Sequence, residues 1–156
     1  MAMATPATAA LQKAGIAFKL HTYDYDPDAE QIGLQAADAL GVAPARLLKT
    51  LMARAGNDAV CVLVPSDRQL SLKKLAAAAG SKDAAMLAPA AAERATGYHV
   101  GGISPFGQKK RVRVFFERAA LGHDTLLVNG GRRGLQIELD PADLVRVLEA
   151  QAADLS

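Results

Sequence analysis

Apolar residues recur along this chain at two spacings, and the glycines and prolines between them mark where one spacing gives way to the other. Thr5-Pro6 reads as a helix start, a Thr N-cap followed by Pro in the first helical position, with Gly15 as the stop. Over residues 17–23, Phe18, Leu20 and Thr22 alternate with Lys19, His21 and Tyr23, which predicts a strand. DYDPDAE (24–30) is a turn or loop. Leu34 to Leu40 predicts a helix closed by Gly41, Ala43-Pro44 a short turn, and Leu47 to Arg54 a strand. After the Gly56-Asn57-Asp58 turn, the run from Ala59 to Pro65 is continuously apolar and β-branched, the mark of a strand buried on both faces.

The second half reads the same way. Ser71 caps a helix over 72–79 that ends at Gly80, and Pro89 opens another that ends near Thr96-Gly97. The Ala-rich stretches 75–79 and 84–95 keep a helical spacing of Leu and Met and read as helices. Residues 97–107 are too rich in glycine for regular structure, and 111–116 predicts a strand. Residues 125–128 and 135–139 flank a glycine turn as a hairpin, and Asp140 caps a last helix from Pro141 to Ala152. Strands and helices without strict β-α-β alternation predict an α+β fold, in one domain over residues 1–156.

Composition narrows the setting. One cysteine, Cys61, excludes an intrachain disulfide and fits a reducing compartment. The first residues lack a basic stretch leading into a long apolar run, and no segment of about 18 apolar residues exists, so neither a signal peptide nor a membrane span is expected. A cytoplasmic protein is the simplest reading. The net charge of +2 hides an uneven distribution: residues 1–40 carry two Lys against five acids, whereas 41–134 carry fifteen bases against six. Lys109, Lys110, Arg111 and Arg113 stand together with nothing acidic between Gly97 and Phe116, a local basic face suited to a polyanion.

Familiar catalytic constellations are missing. His21, His99 and His123 make no metal-binding spacing, Cys61 sits in an apolar strand, and there is no nucleophile elbow, Walker loop or carboxylate pair. No metal or cofactor is implied, and some group other than a protein side chain must attack in any enzyme reading. The glycines are more informative. Residues 97–107 hold four Gly and one Pro, a stiff loop able to aim backbone N–H groups at an anion or oxyanion, and the basic run follows directly. A second glycine turn, 129–134, carries two Arg. Lys49, inside an otherwise apolar strand, should point off the core face toward a cleft or water.

Taken in order, HTYDYDP (21–27), LLKTLMA (47–53), LSLKKLA (70–76), GYHVGGISPFGQKKR (97–111) and NGGRRGLQIEL (129–139) resemble the YbaK/EbsC family, which is similar to the editing insertion of bacterial prolyl-tRNA synthetase. The resemblance spans the chain. It implies a mixed, twisted sheet or partial barrel with surrounding helices, and deacylation of aminoacyl-tRNA without a cofactor. By position it implies that Lys49 binds the tRNA 3′ end beside Thr50, and that Tyr23 is the pocket tyrosine. The Gly101–Pro105 loop, through Gly102, Ile103 and Ser104, would hold the aminoacyl group and its oxyanion on backbone N–H groups. Lys109, Lys110 and Arg111 would meet acceptor-stem phosphates. The implied substrate is Cys-tRNA(Pro), also Cys-tRNA(Cys), cleaved by the substrate's own thiol, with prolyl-tRNA synthetase as a transient partner. Two positions depart from the Cys-specific pattern: Asn129 replaces a Ser and Gln136 an Asp, both near the pocket. Preference for Ala or Ser, or a tRNA- or synthetase-binding module without catalysis, remain open on these residues.

Overall fold

The computed structural model describes residues 4–28 and 31–156; residues 29 and 30, the end of the DYDPDAE segment, and the first three residues of the chain lie outside it. Helix α1 (Pro6–Lys13) starts where Thr5 accepts the N–H of Thr8, while Thr8 returns a bond to the Thr5 N–H. This reciprocal cap satisfies two of the donors a helix start leaves unpaired. Strand β1 (Lys19–Thr22) and α2 (Ile32–Leu40) follow, the latter ended by Gly41 at φ +67. A 3₁₀ turn (Pro44–Arg46) leads into β2 (Leu48–Ala55) and β3 (Asp58–Pro65). Then come α3 (Leu72–Ala79), β4 (Ala84–Met86), α4 (Pro89–Thr96), β5 (Arg113–Glu117), β6 (Leu126–Asn129), β7 (Leu135–Leu139), α5 (Pro141–Leu148) and β8 (Gln151–Ala153).

The strands form two sheets, β1-β7-β6 and β4-β2-β3-β5-β8, joined by a bridge between Leu47 and Leu127. The fold is therefore α+β as expected, but the strands do not close into a barrel. Strand β3 lies at the centre: Cys61 and Leu63 face one core, Val60, Val62 and Val64 the other, as the period-2 pleat requires. Strand β2 alternates likewise, Leu48 and Met52 toward the first core, Ala53 and Ala55 toward the second.

Three expectations need correction. Ala84–Met86 is a strand, not part of a helix, because it pairs with Ala53–Ala55 and that pairing overrides the helix propensity of alanine. The last helix stops at Leu148: Glu149 takes the left-handed conformation at φ 50, and Gln151–Ala153 instead join Phe115–Glu117 as a parallel edge. In β1, Leu20 and Thr22 are exposed while His21 and Tyr23 turn partly inward, so on this edge strand the polar side of the alternation finds the partners.

His21 shows why. Its Nε2 lies 2.7 Å from Glu138 of β7, and the same carboxylate accepts Arg46 at 3.1 Å and Thr125 at 2.5 Å, tying both edge strands to the 3₁₀ turn. The Thr125 hydrogen bond first, then His21, hold the Glu138 carboxyl below the usual carboxylate range. A depressed acid stabilises the fold above the pH at which the unfolded chain titrates, about 4.3, and loses that contribution as pH falls through its lower folded-state value. Glu138→Gln is thus expected to melt below wild type at neutral pH, with the two melting curves converging as acidification carries Glu138 through its lowered folded-state pKa. A gap that stays constant with pH would refute the assignment.

Candidate active site

The second edge of β2 is split. Its C-terminal residues Ala53–Ala55 pair with β4, and Leu47 just before it bridges to β6, but Leu48–Met52 have no strand partner there among the described residues. A cleft of about 470 Å³ opens along this gap. Lys49 and Thr50 contribute from β2, Met86, Leu87 and Pro89 from the β4–α4 connection, Val100, Gly101 and Ile103 from the first glycine loop, and Asn129, Arg133 and Gln136 from the second turn and its strands. The hollow is of a size that suits a small acyl group with part of its carrier.

Lys49 is half-buried, and burial lowers the pKa of its ammonium, with Asp67 acting weakly in the other direction. It forms no ion pair with any described residue, so a partly desolvated cation lines the cleft, favoured only by the more distant charge of Asp67. The hydroxyl of Thr50 is buried without a hydrogen-bond partner among the described residues.

The glycine loop divides its residues between roles. Gly101 and Ile103 line the cleft, and among the described residues their N–H groups donate to no protein acceptor. The N–H of Gly102 is taken by the His99 carbonyl at 2.9 Å, and a Cβ there would meet the Arg132 backbone at 2.9 Å, so Gly102 seats the two glycine turns against each other. Ser104 is fully buried: its hydroxyl accepts the Phe106 N–H and its carbonyl accepts Gln108, which makes it a staple of the turn. Pro105 faces elsewhere, into a separate hollow of about 360 Å³ shared with Lys13, Lys110 and Arg111. The basic run therefore borders the far side of the strap, where Arg111 also pairs with Glu149 at 3.3 Å. Lys109 and Lys110 donate backbone N–H groups to Thr96 and Ala95, fastening the strap's exit to the end of α4.

Asn129 and Gln136, the two departures from the Cys-specific pattern, stand directly opposite each other in the β6–β7 ladder and both line the cleft. Asn129 accepts the Gly131 N–H at 2.7 Å and donates to the Gly101 carbonyl at 3.3 Å. Gln136 is buried, and its Oε1 accepts no hydrogen bond among the described residues. Tyr23 does not line the cleft. Its hydroxyl is buried near Gln136 without a well-aligned hydrogen-bond partner among the described residues, burial raises its pKa, and its ring packs with the cluster of Ala36, Ala37, Leu47 and Leu127. The tyrosine that lines the cleft is Tyr25, with Arg133 over its ring at 5.4 Å. Cys61 is buried in β3 and its thiol is pushed up to about 12 by burial, which leaves it no thiolate to attack with.

Residues 26–147 match the model of a family described as the aminoacyl-tRNA editing domain. The chain is 37% identical over 122 residues to EbsC of Enterococcus faecalis, whose name proposes a Cys-tRNA(Pro)/Cys-tRNA(Cys) deacylase; the match covers 77% of this chain and 74% of that protein. It is 33% identical over 111 residues to YwhH of Bacillus subtilis, covering 70% of each. A crystal structure of a protein proposed as a trans-editing enzyme for prolyl-tRNA synthetase superposes with a TM-score of 0.84 at 24% identity, over 97% of this chain and 94% of that one.

Proposed function

Since this chain belongs to the aminoacyl-tRNA editing family, as a YbaK/EbsC member and hence an aminoacyl-tRNA deacylase, we propose that it edits mischarged tRNA in trans and that its substrate is Cys-tRNA(Pro), with Cys-tRNA(Cys) also accepted. One observation carries the reading: Lys49, Gly101 and Ile103 line a single cleft, so a cation and the glycine strap border the same hollow. The tRNA 3′ end would enter beside Lys49, with its terminal phosphate or ribose on the ammonium. The ester carbonyl would lie against the strap.

In this reaction the substrate's own sulfur attacks the ester carbonyl carbon. A carbon–sulfur bond forms, negative charge gathers on the carbonyl oxygen, and the N–H groups of Gly101 and Ile103 receive it. Collapse breaks the carbon–oxygen bond to the ribose. The thiol proton ends on the released ribose hydroxyl, and the amino acid leaves as a cyclic thioester. The protein supplies position and charge stabilisation rather than a nucleophile, in keeping with a lining that, among the described residues, includes no Cys or His. Lys109, Lys110 and Arg111, the last two sharing a hollow with Lys13, would meet acceptor-stem phosphates without reading sequence, and prolyl-tRNA synthetase would supply the choice of tRNA. Such a substrate places its work in the cytoplasm.

Asn129 and Gln136 favour a second reading, in which the cleft releases Ala or Ser and water attacks in place of a thiol. A release assay on tRNA(Pro) charged with Cys, Ala or Ser separates the two. Thiol attack predicts Cys released at least about a thousandfold faster than either, beyond the roughly 10–200-fold that steric selection worth about 1–3 kcal/mol can give. Ala released as fast as Cys would exclude it.

A further inference from the structure

Three side chains grip the cleft-lining strap without any part in the reaction above. Glu93 of α4 accepts the Val100 N–H at 2.9 Å. Arg133 donates both Nε, at 3.0 Å, and Nη2, at 2.8 Å, to the Val100 carbonyl. Asn129 donates to the Gly101 carbonyl, and the Gly102 N–H is consumed by His99. The backbone groups on either side of the Gly101 N–H are therefore tied, while that N–H donates to no protein group among the described residues. In a trans peptide the N–H points opposite to its C=O. Holding the Val100 oxygen on Arg133 fixes the opposite direction of the Gly101 N–H, at a residue that lines the cleft.

We propose that Arg133 is a positioning residue whose guanidinium fork fixes the Val100–Gly101 peptide so that the Gly101 N–H is aimed into the cleft as an oxyanion donor. The inference rests on the cleft being the deacylation site. Glycine permits either orientation of this peptide. The fork removes that freedom, and the Tyr25 ring beneath the guanidinium keeps the fork in plane. Released, the peptide can rotate and present the Val100 oxygen where negative charge develops, turning attraction into repulsion.

The test compares wild type, Arg133→Ala and Arg133→Lys by steady-state deacylation of Cys-tRNA(Pro), together with backbone NMR in the presence of an adenosine analogue whose aminoacyl group is joined by an amide. Arg133→Lys keeps the charge and loses the fork, and it serves where the alanine variant fails to fold. The expected result is a kcat reduced about a hundredfold in Arg133→Ala and about tenfold in Arg133→Lys, with KM changed by no more than about twofold. In wild type the Gly101 amide resonance should move on addition of the analogue, and in both variants it should not. A raised KM at unchanged kcat would make Arg133 a tRNA contact and overturn the proposal, as would wild-type kcat in Arg133→Lys. A Gly101 amide that stays still in wild type while Ile103 moves overturns it too. Should wild type respond at Gly101 yet cleave no aminoacyl-tRNA, the proposed reaction fails and the aim of the peptide stands; no movement anywhere in the cleft sinks both.

Discussion

Lys49→Ala is expected to fold as well as wild type and to deacylate roughly a hundredfold more slowly in kcat/KM, since a hydrogen bond from a charged group is worth about 1.5–3 kcal/mol and each 1.36 kcal/mol is tenfold in rate. Both halves follow from the same feature. The ammonium is partly desolvated and forms no ion pair with a described acid, so the native fold gains little from it. Burial acts against its charged form more than Asp67 favours it, a standing cost that a ligand can offset. Asp67 favours the charge without forming an ion pair. Removing the side chain should leave the melting temperature level or slightly higher, whereas a structural lysine would lower it. Thermal melts beside single-turnover deacylation decide this. A folded variant with wild-type rate would remove Lys49 from the mechanism and with it the main reason for reading the cleft as the site.

Much of this architecture could be read from local chemistry, because most element ends are capped by residues whose conformational demands are strict. Thr5-Pro6, Ser71 and Asp140-Pro141 start helices as written, and Gly41, Gly80 and Gly97 end them at positive φ. What local chemistry could not show depends on pairing across the chain. Ala84–Met86 and Gln151–Ala153 have helix-prone sequences and become strands because Ala53–Ala55 and Phe115–Glu117 offer them open edges. The site divides in the same way. Lys49, Gly101 and Ile103 were legible as a cation and a glycine strap, and they do share a cleft. Ser104 and Gly102 belong to the same motif but serve its packing, and Pro105 and the basic run turn to the strap's other side. Contiguity in sequence cannot separate residues that a turn sends to opposite faces. Nor could it rank Tyr25 above Tyr23, since β1 ends at Thr22 and its alternation no longer fixes which ring meets the cleft. The pairing of Asn129 with Gln136 across one rung emerged only from the register.

The strap itself gives the sharpest test, because Gly101→Ala changes one methyl group where two separate costs fall. At φ +90 an L-residue is strained by about 1–3 kcal/mol. A Cβ built there lies 2.8 Å from the Tyr25 hydroxyl and 3.1 Å from Nε of Arg133. Both are far ends of flexible side chains and can withdraw, so the fold should survive with a stability loss of about that same 1–3 kcal/mol. Withdrawal of Arg133, however, takes the fork off the Val100 carbonyl, so the donor loses its aim even in a folded protein. Deacylation should therefore fall by about a hundredfold or more, and in kcat rather than KM. Tyr25→Phe added to Gly101→Ala separates the causes. Removing the hydroxyl clears the nearer obstacle and lets the new methyl lean away from Arg133, so part of the lost kcat should return while the φ strain, and hence the lowered melting temperature, persists. Gly102→Ala marks the contrast: its Cβ meets backbone atoms of Arg132 and Arg133 at 2.9 Å, which cannot step aside, so there the loss should register first in stability. Full wild-type kcat in Gly101→Ala would mean that the strap's backbone takes no part in the chemistry, whatever its proximity to Lys49.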